Sequence, residues 1–420
     1  MTAAFVVLAT PAFGVTNDPA RAQQWALTRI HADQAWTKVK GAGITIAIVD
    51  TGIDLGHPDL KSKIVAHYDC TSGSCVGGAG AGNDDNGHGS HVAGIAAAVT
   101  GNGIGIAGVA PSAKLMAVKV LDSSGSGNCS NIVTGIRWAS DHGARVINLS
   151  LGPEIGLLDF ILGNSCVTDL QNAAAYAYGR GDVVVIAAGN QSLKSAYSSP
   201  ALEVVGATGP QDEVASYSNT GANIYAPGGN ESGNCIAQST GTCILSTWMD
   251  NGYALDQGTS MAAPHISGLA ALLLSEGYTN AQAVTRINNT ADMISGIPLA
   301  NAARAVGATS STGGGTPKPT PTPTRRSSST QTPDVTHSKT TPPANNGPVK
   351  VPAPSSSPKP SPSVLAVGPT LSPGTAGNAA GAPVVAEEGG RGLHIGLGAF
   401  SIAVAGLATI RVLRRRARRA

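Results

Sequence analysis

Four polar residues stand where apolar runs of this sequence begin or end. Asp50 closes ITIAIVD (44–50), and His88 follows NDDNG at the start of an Ala-rich stretch. Asn190 closes DVVVIAAGN (182–190), and Ser260 sits between Gly258-Thr259 and the small apolar run MAAPHISGLAALL. Singly, each has an ordinary structural use: a turn aspartate, a packed histidine, a turn asparagine, a helix-capping serine. Together they offer one chemistry. A serine hydroxyl is a weak nucleophile until a neighbouring imidazole takes its proton, and a carboxylate can hold that imidazole in the correct tautomer. A side-chain amide can meet the negative charge that develops on an attacked carbonyl. The order Asp, His, Ser, with a strand-end Asn before the Ser, is one of the chain orders in which such triads occur. A zinc pair of His88 and His91 lacks the His-Glu-x-x-His spacing.

Such chemistry needs rigid elements that bring distant residues together. ITIAIVD is a continuous β-branched run ending in an aspartate, and AKLMAVKVL (113–121), ARVINLSLG (144–152) and DVVVIAAGN are further apolar runs of the kind that strands buried on both faces need. Between them lie the helical stretches HVAGIAAAV, NIVTGIRWASDHG and VTDLQNAAAYAYGRG. This alternation predicts an α/β fold with a mostly parallel central sheet covered by helices on both faces. Ligands of such sheets gather beyond the carboxyl ends of the strands, where Asp50, Ser150-Leu151-Gly152 and Gly189-Asn190 all fall.

Composition bounds the rest. The 420 residues include 54 glycines and 26 prolines but only 4 % aromatics, so part of the chain builds no core. A net charge of +2 gives no reason to expect nucleic acid as a partner. Residues 15–308 read as one globular domain, and the Pro/Ser/Thr/Gly-rich residues 309–390 as a disordered linker. Within 391–412, the run LHIGLGAFSIAVAGLATI (393–410) offers about 18 uncharged residues, roughly 27 Å as a helix, which predicts one span of a lipid bilayer. The arginine-rich tail 413–420 predicts a cytoplasmic C-terminus and an extracytoplasmic domain. Residues 1–14 resemble the apolar part of a signal peptide, although no Lys or Arg precedes the run. The six cysteines lack paired zinc-type spacing, so disulfides are expected. Proximity favours Cys70–Cys75 and Cys235–Cys243, leaving Cys129–Cys166.

Six segments in order, IAIVDTGIDLGHPDL, GHGSHVAGIAAAV, GIAGVAPSAKLMAVKVL, VINLSLG, VVVIAAGN and GTSMAAPHISG, resemble the subtilisin-type serine proteases, the thermitase branch most. The resemblance implies a three-layer subtilisin-like fold and an endopeptidase acting on polypeptides, with no cofactor in catalysis. It makes Ser260 the nucleophile, His88 the general base, Asp50 its orienting carboxylate and Asn190 an oxyanion donor. His91 becomes a packing residue. Ser150, Leu151 and Gly152 become the segment to which an extended substrate adds, with Ala187, Ala188 and Gly189 on the wall of the first side-chain pocket. It also implies structural calcium, bound by Asp18, Asp59 and Asn102 and by main-chain oxygens of Thr100, Ile104 and Ile106. The layout of domain, Pro-rich stretch and C-terminal anchor is similar to that of the mycosins. This opens a second reading, an accessory subunit partnered by secretion-system components. The loop PEIGLLDFILGNSC after Gly152 is longer and more apolar than the family's usual connection and is expected to narrow or cover the groove.

Overall fold

The computed structural model describes residues 16–153, 165–236 and 239–308, together with the backbone of a short strand at Val364–Ala366. The signal-like start (1–14), residues 154–164 of the loop after Gly152, most of the 309–390 tract, the 391–412 run and the tail lie outside the described residues. Among the described residues no helix is long and apolar enough to cross a membrane.

Along the chain the first strands are β1 (Thr45–Asp50), β2 (Ile64–Asp69), β3 (Lys114–Lys119), β4 (Ser126–Asn128) and β5 (Val146–Leu149). There follow β6 (Gly152–Pro153), β7 (Val183–Ala187), β8 (Glu203–Thr208) and β9 (Ile224–Pro227). The last are β10 (Ile244–Trp248), β11 (Gly252–Asp256), β12 (Asp292–Ile294), β13 (Ile297–Leu299) and β14 (Val364–Ala366). Nine of them make the central sheet, in the order β12-β13-β9-β8-β7-β5-β1-β3-β2. Every pairing in it is parallel except β12 with β13. β10 and β11 form a separate hairpin, and β14 lies between β4 and β6.

The apolar runs are explained by burial on both sides. In β1, Ile46 and Ile48 enter one core and Ala47 and Val49 the other, the alternation that a pleated strand imposes. Helices His88–Ala97 and Thr259–Ser275 fill the first core, and Cys129–Asp141 and Ser165–Gly179 the second. The result is the three-layer arrangement expected.

Helix Thr259–Ser275 is buried from Thr259 to Leu274, which only small side chains permit. A Cβ on Gly268 would stand 2.5 Å from Val109 Cβ, so glycine lets this helix lie directly on its neighbour. Pro264 lies inside the helix and lacks the N–H that would bond the Ser260 carbonyl. That carbonyl instead accepts the Ser150 hydroxyl at 2.7 Å. The chain continues inward, with Asn148 Nδ2 donating to Ser150 Oγ at 2.9 Å and Ser267 Oγ to Asn148 Oδ1 at 2.7 Å. A buried polar chain thus pins the helix to the sheet beside Ser260.

The bonded cysteines are Cys70–Cys75, Cys129–Cys166 and Cys235–Cys243, and no described cysteine is free. The second joins residues 37 apart in sequence. On a chain-entropy argument that closure stabilises the fold by about 4 kcal/mol.

Within the 309–390 tract the described Val364, Leu365 and Ala366 form a paired strand, in a stretch, VLAV, that carries no Pro or Gly to interrupt a ladder.

Glu203, at the start of β8, is buried with one carboxyl oxygen unpaired. Burial pushes its pKa up to about 8 against a weaker opposing hydrogen bond from Asn288. The unfolded chain ionises this group near 4.5 while the folded one holds the proton to about 8. Its contribution to stability is therefore complete below the lower value and is lost as pH rises between the two. Glu203→Gln is expected to raise the melting temperature by roughly 5 °C at about pH 9 and little at about pH 4.5. Thermal denaturation at both values checks this, and an equal change at both would count against it.

Candidate active site

The carboxyl ends of β1, β5 and β7 share one rim of the sheet. Asp50 is the last residue of β1, Ser150 follows β5, and Asn190 lies just beyond β7. His88 opens one helix of the first layer and Ser260 is the second residue of another, and the two helices pack together.

His88 Nδ1 and Asp50 Oδ1 are 2.8 Å apart, both residues buried. Asp50 Oδ1 also accepts the Thr51 N–H at 2.7 Å, while Oδ2 is buried without a partner. Burial by itself would lower the imidazole pKa. The charge and hydrogen bond of Asp50, joined by the charges of Asp256 and Asp84, carry it above its ordinary value instead. Nε2 of His88 makes no hydrogen bond among the described residues and is left for another partner.

Asp84 holds this arrangement and was not singled out by its sequence. Its Oδ1 accepts from the Thr51 hydroxyl at 2.8 Å and from the N–H groups of Asn86 and Gly87, each at 3.0 Å. Its Oδ2 accepts from Ser90 N and Oγ at 2.8 and 2.6 Å. Thr51 in turn accepts the Gly89 N–H at 2.9 Å. One carboxylate therefore takes two of the donors at the start of the His88 helix, Gly87 N and Ser90 N, and steadies the residue after Asp50, whose hydroxyl oxygen takes a third. The readable signal is an aspartate four residues before His88 and six before a serine.

The Ser260 hydroxyl donates to the Ser150 carbonyl at 3.1 Å and makes no bond to His88 among the described residues. Its backbone N–H, in the first turn of a helix, is one of the donors that a helix start leaves unpaired. Asn190 is oriented by the residue next to it. Its Oδ1 accepts from Thr259 N at 2.9 Å and Thr259 Oγ1 at 2.7 Å, so Nδ2 is turned outward and unpaired among the described residues. Thr259 Oγ1 accepts the Gly189 N–H at 3.1 Å. Asn219 braces the same turn, donating to Ala188 O and accepting from Gln191 N and Leu193 N. Gly189, with φ +104°, allows that approach, since a Cβ there would meet Asn219 Nδ2 at 2.4 Å.

Leu151 is buried in the second core and Gly152 opens β6. Ala187 and Ala188 are 4 % and 2 % exposed, one in each core of the sheet, and Gly189 follows them at the rim. His91 is the packed residue expected. Its Nε2 faces the carbonyls of Ile244 and Ala254, both at 3.1 Å, and burial lowers its pKa to about 3.

The residues expected to hold calcium meet on one loop. Asp59 Oδ1 accepts Asn102 Nδ2 at 2.7 Å, and Oδ2 accepts Ile106 N at 3.0 Å and Tyr253 Oη–H at 2.8 Å. The Asn102 oxygen accepts the Ile104 N–H at 3.0 Å. Thr100 Oγ1 accepts the Gly108 N–H at 3.2 Å. Both oxygens of Asp18 accept the Gly101 N–H, and one also accepts that of Asn102, so this carboxylate is tied to the same loop. No group of three or more His, Cys, Asp or Glu side chains able to hold a metal occurs among the described residues. A hard cation here would rest on Asp59, Asn102 and main-chain carbonyls. That all-oxygen set suits calcium once a half-turn of the Asn102 amide brings Oδ1 to face Asp59. A Cβ on Gly105 would fall 1.9 Å from Asp59 Oδ2, so glycine leaves the carboxylate its room.

The pattern of the subtilase family matches residues 41–331. The chain belongs to the subtilase family. It is 43 % identical over 287 residues to thermitase of Thermoactinomyces vulgaris, covering 67 % of this chain and 92 % of that protein. It is 42 % identical to the thermophilic serine proteinase of Bacillus sp. (strain AK1), covering 65 % of this chain and 63 % of the relative. Among solved structures, a protease of Pseudoalteromonas arctica PAMC 21717 superposes with TM-score 0.60 at 31 % identity, covering 70 % of this chain and 99 % of that one. As a subtilase the protein is a serine endopeptidase whose substrates are polypeptides.

Proposed function

We propose that this endopeptidase works through Ser260, His88 and Asp50, with the oxyanion received by Asn190 Nδ2 and the Ser260 N–H. The observation that carries the reading is the buried 2.8 Å contact between His88 Nδ1 and Asp50, which fixes the tautomer and leaves Nε2 as the acceptor. Rotation about the Cα–Cβ bond of Ser260 exchanges the Ser150 carbonyl for that nitrogen. Such bonds commonly tighten only when substrate is present. His88 takes the hydroxyl proton as Ser260 Oγ attacks the scissile carbonyl. The imidazolium is stabilised by Asp50, and the tetrahedral oxyanion meets donors already aimed by Thr259. Collapse passes the proton to the leaving amine, and water repeats the sequence on the acyl-enzyme.

A fluorophosphonate probe is expected to label the full chain at Ser260 alone. The labelling rate should rise with pH, with its midpoint above 6.5, because the base acts only when neutral and its pKa is raised. Peptide mapping and the pH profile check both points. Label on another residue, or none, overturns the assignment.

We further propose calcium at the 100–106 loop, supported by the oxygen-only donors around Asp59. At about 100 times its Kd the ion would stabilise the fold by roughly 2.7 kcal/mol. Chelation should then lower the melting temperature by roughly 5–10 °C in the parent and leave Asp59→Asn unmoved. Equal melting with and without chelator would remove the site.

A further inference from the structure

Two short strands flank the site without pairing to each other. β4 ends where helix Cys129–Asp141 begins, and β6 starts two residues past Ser150. The Cys129–Cys166 bridge ties together the two helices that come after these strands. A strand edge left open is a template for another strand. β14 takes that place, antiparallel to both neighbours, with Leu365 opposite Gly127 and Pro153 and Ala366 opposite Ser126 and Gly152.

We propose that Val364–Ala366 is an intramolecular blocker of the peptide groove, supplied by the chain's own tether. The inference rests on the peptidase reading of Ser260. From Leu365 to Ala366 the strand's partner steps back from Pro153 to Gly152, two residues from Ser150, whose carbonyl accepts the Ser260 hydroxyl.

The sequence that follows Ala366, Val367-Gly368-Pro369, is a poor substrate: attack at Gly368 would require His88 to protonate a prolyl nitrogen. That nitrogen carries a ring carbon where other residues carry hydrogen, and the ring crowds the approach of the imidazole. The segment offers the groove its main-chain pairing and survives the encounter. The roughly 55 residues between Ala308 and Val364 span up to ~180 Å when extended, so the connection sets no limit on reaching the groove. A tethered segment acts at an effective concentration of order 1 mM. If a free strand of this length has a Kd of about 0.1–1 mM, the apparent KM is raised roughly two- to tenfold.

The test compares the full chain with its Leu365→Pro variant, since proline lacks the N–H that a central strand needs. Titration of both with a fluorophosphonate comes first; equal labelling separates a failure of the tether reading from a failure of the Ser260 reading. The expected result is a KM for polypeptide that falls two- to tenfold in the variant with kcat unchanged. A synthetic peptide of residues 361–372 added to the variant should restore the higher KM competitively. An unchanged KM would overturn the proposal, and so would self-cleavage of the parent chain between residues 366 and 372.

Discussion

Ser260→Ala in the full chain is expected to lower kcat/KM on an unstructured polypeptide by about 10⁴-fold or more, with KM little changed. (Subtilisin itself is the reference for a loss of this size.) The structure shows what the substitution leaves alone. The Ser260 hydroxyl makes a single hydrogen bond among the described residues, to the Ser150 carbonyl, and takes no part in the polar chain from Ser150 to Ser267. The main-chain carbonyl that completes that chain is retained in alanine. Folding and groove are therefore preserved, and only the attacking oxygen is lost. Kinetics on matched preparations, with melting temperatures within a degree or two, provide the check. Activity surviving at more than a hundredth of the parent's would mean that another residue attacks.

The second large effect is expected at Asp50→Asn, a loss of about 10⁴-fold in kcat. The amide has two orientations and neither works. With nitrogen facing His88, a donor meets Nδ1, the proton moves to Nε2, and the base is blocked. With nitrogen on the other side, Oδ1 still accepts from His88 and Thr51, but a donor occupies the buried position where Oδ2 now has no partner. In both cases the charge that stabilises the imidazolium is gone. Burial then acts with less opposition on His88, so the acid limb of the residual activity should move to lower pH. A limb that stays in place, or a loss below tenfold, would show that Asp50 does not support the base.

Asp50, His88, Asn190 and Ser260 were legible because each lies at a junction between a patterned element and a polar break, and junctions survive in one dimension. The parallel sheet was legible for a similar reason: a run such as VVVIAAG lacks the polar alternation of a half-exposed strand. Asp84 was not, because its five hydrogen bonds reach the start of a helix and the far side of a strand end. Thr259 read as the neighbour of a serine, and only the fold shows it turning the Asn190 amide outward.

By itself the amino-acid order determined the fold class and set out the residues proposed to perform the chemistry, since periodicity and residue type are local properties. Tertiary structure decided which hydrogen bonds orient those residues, which carboxylates meet at the 100–106 loop, and which strand pairs between β4 and β6. Those outcomes depend on contacts between segments tens to hundreds of residues apart. Many such pairings are compatible with one sequence pattern until packing selects among them.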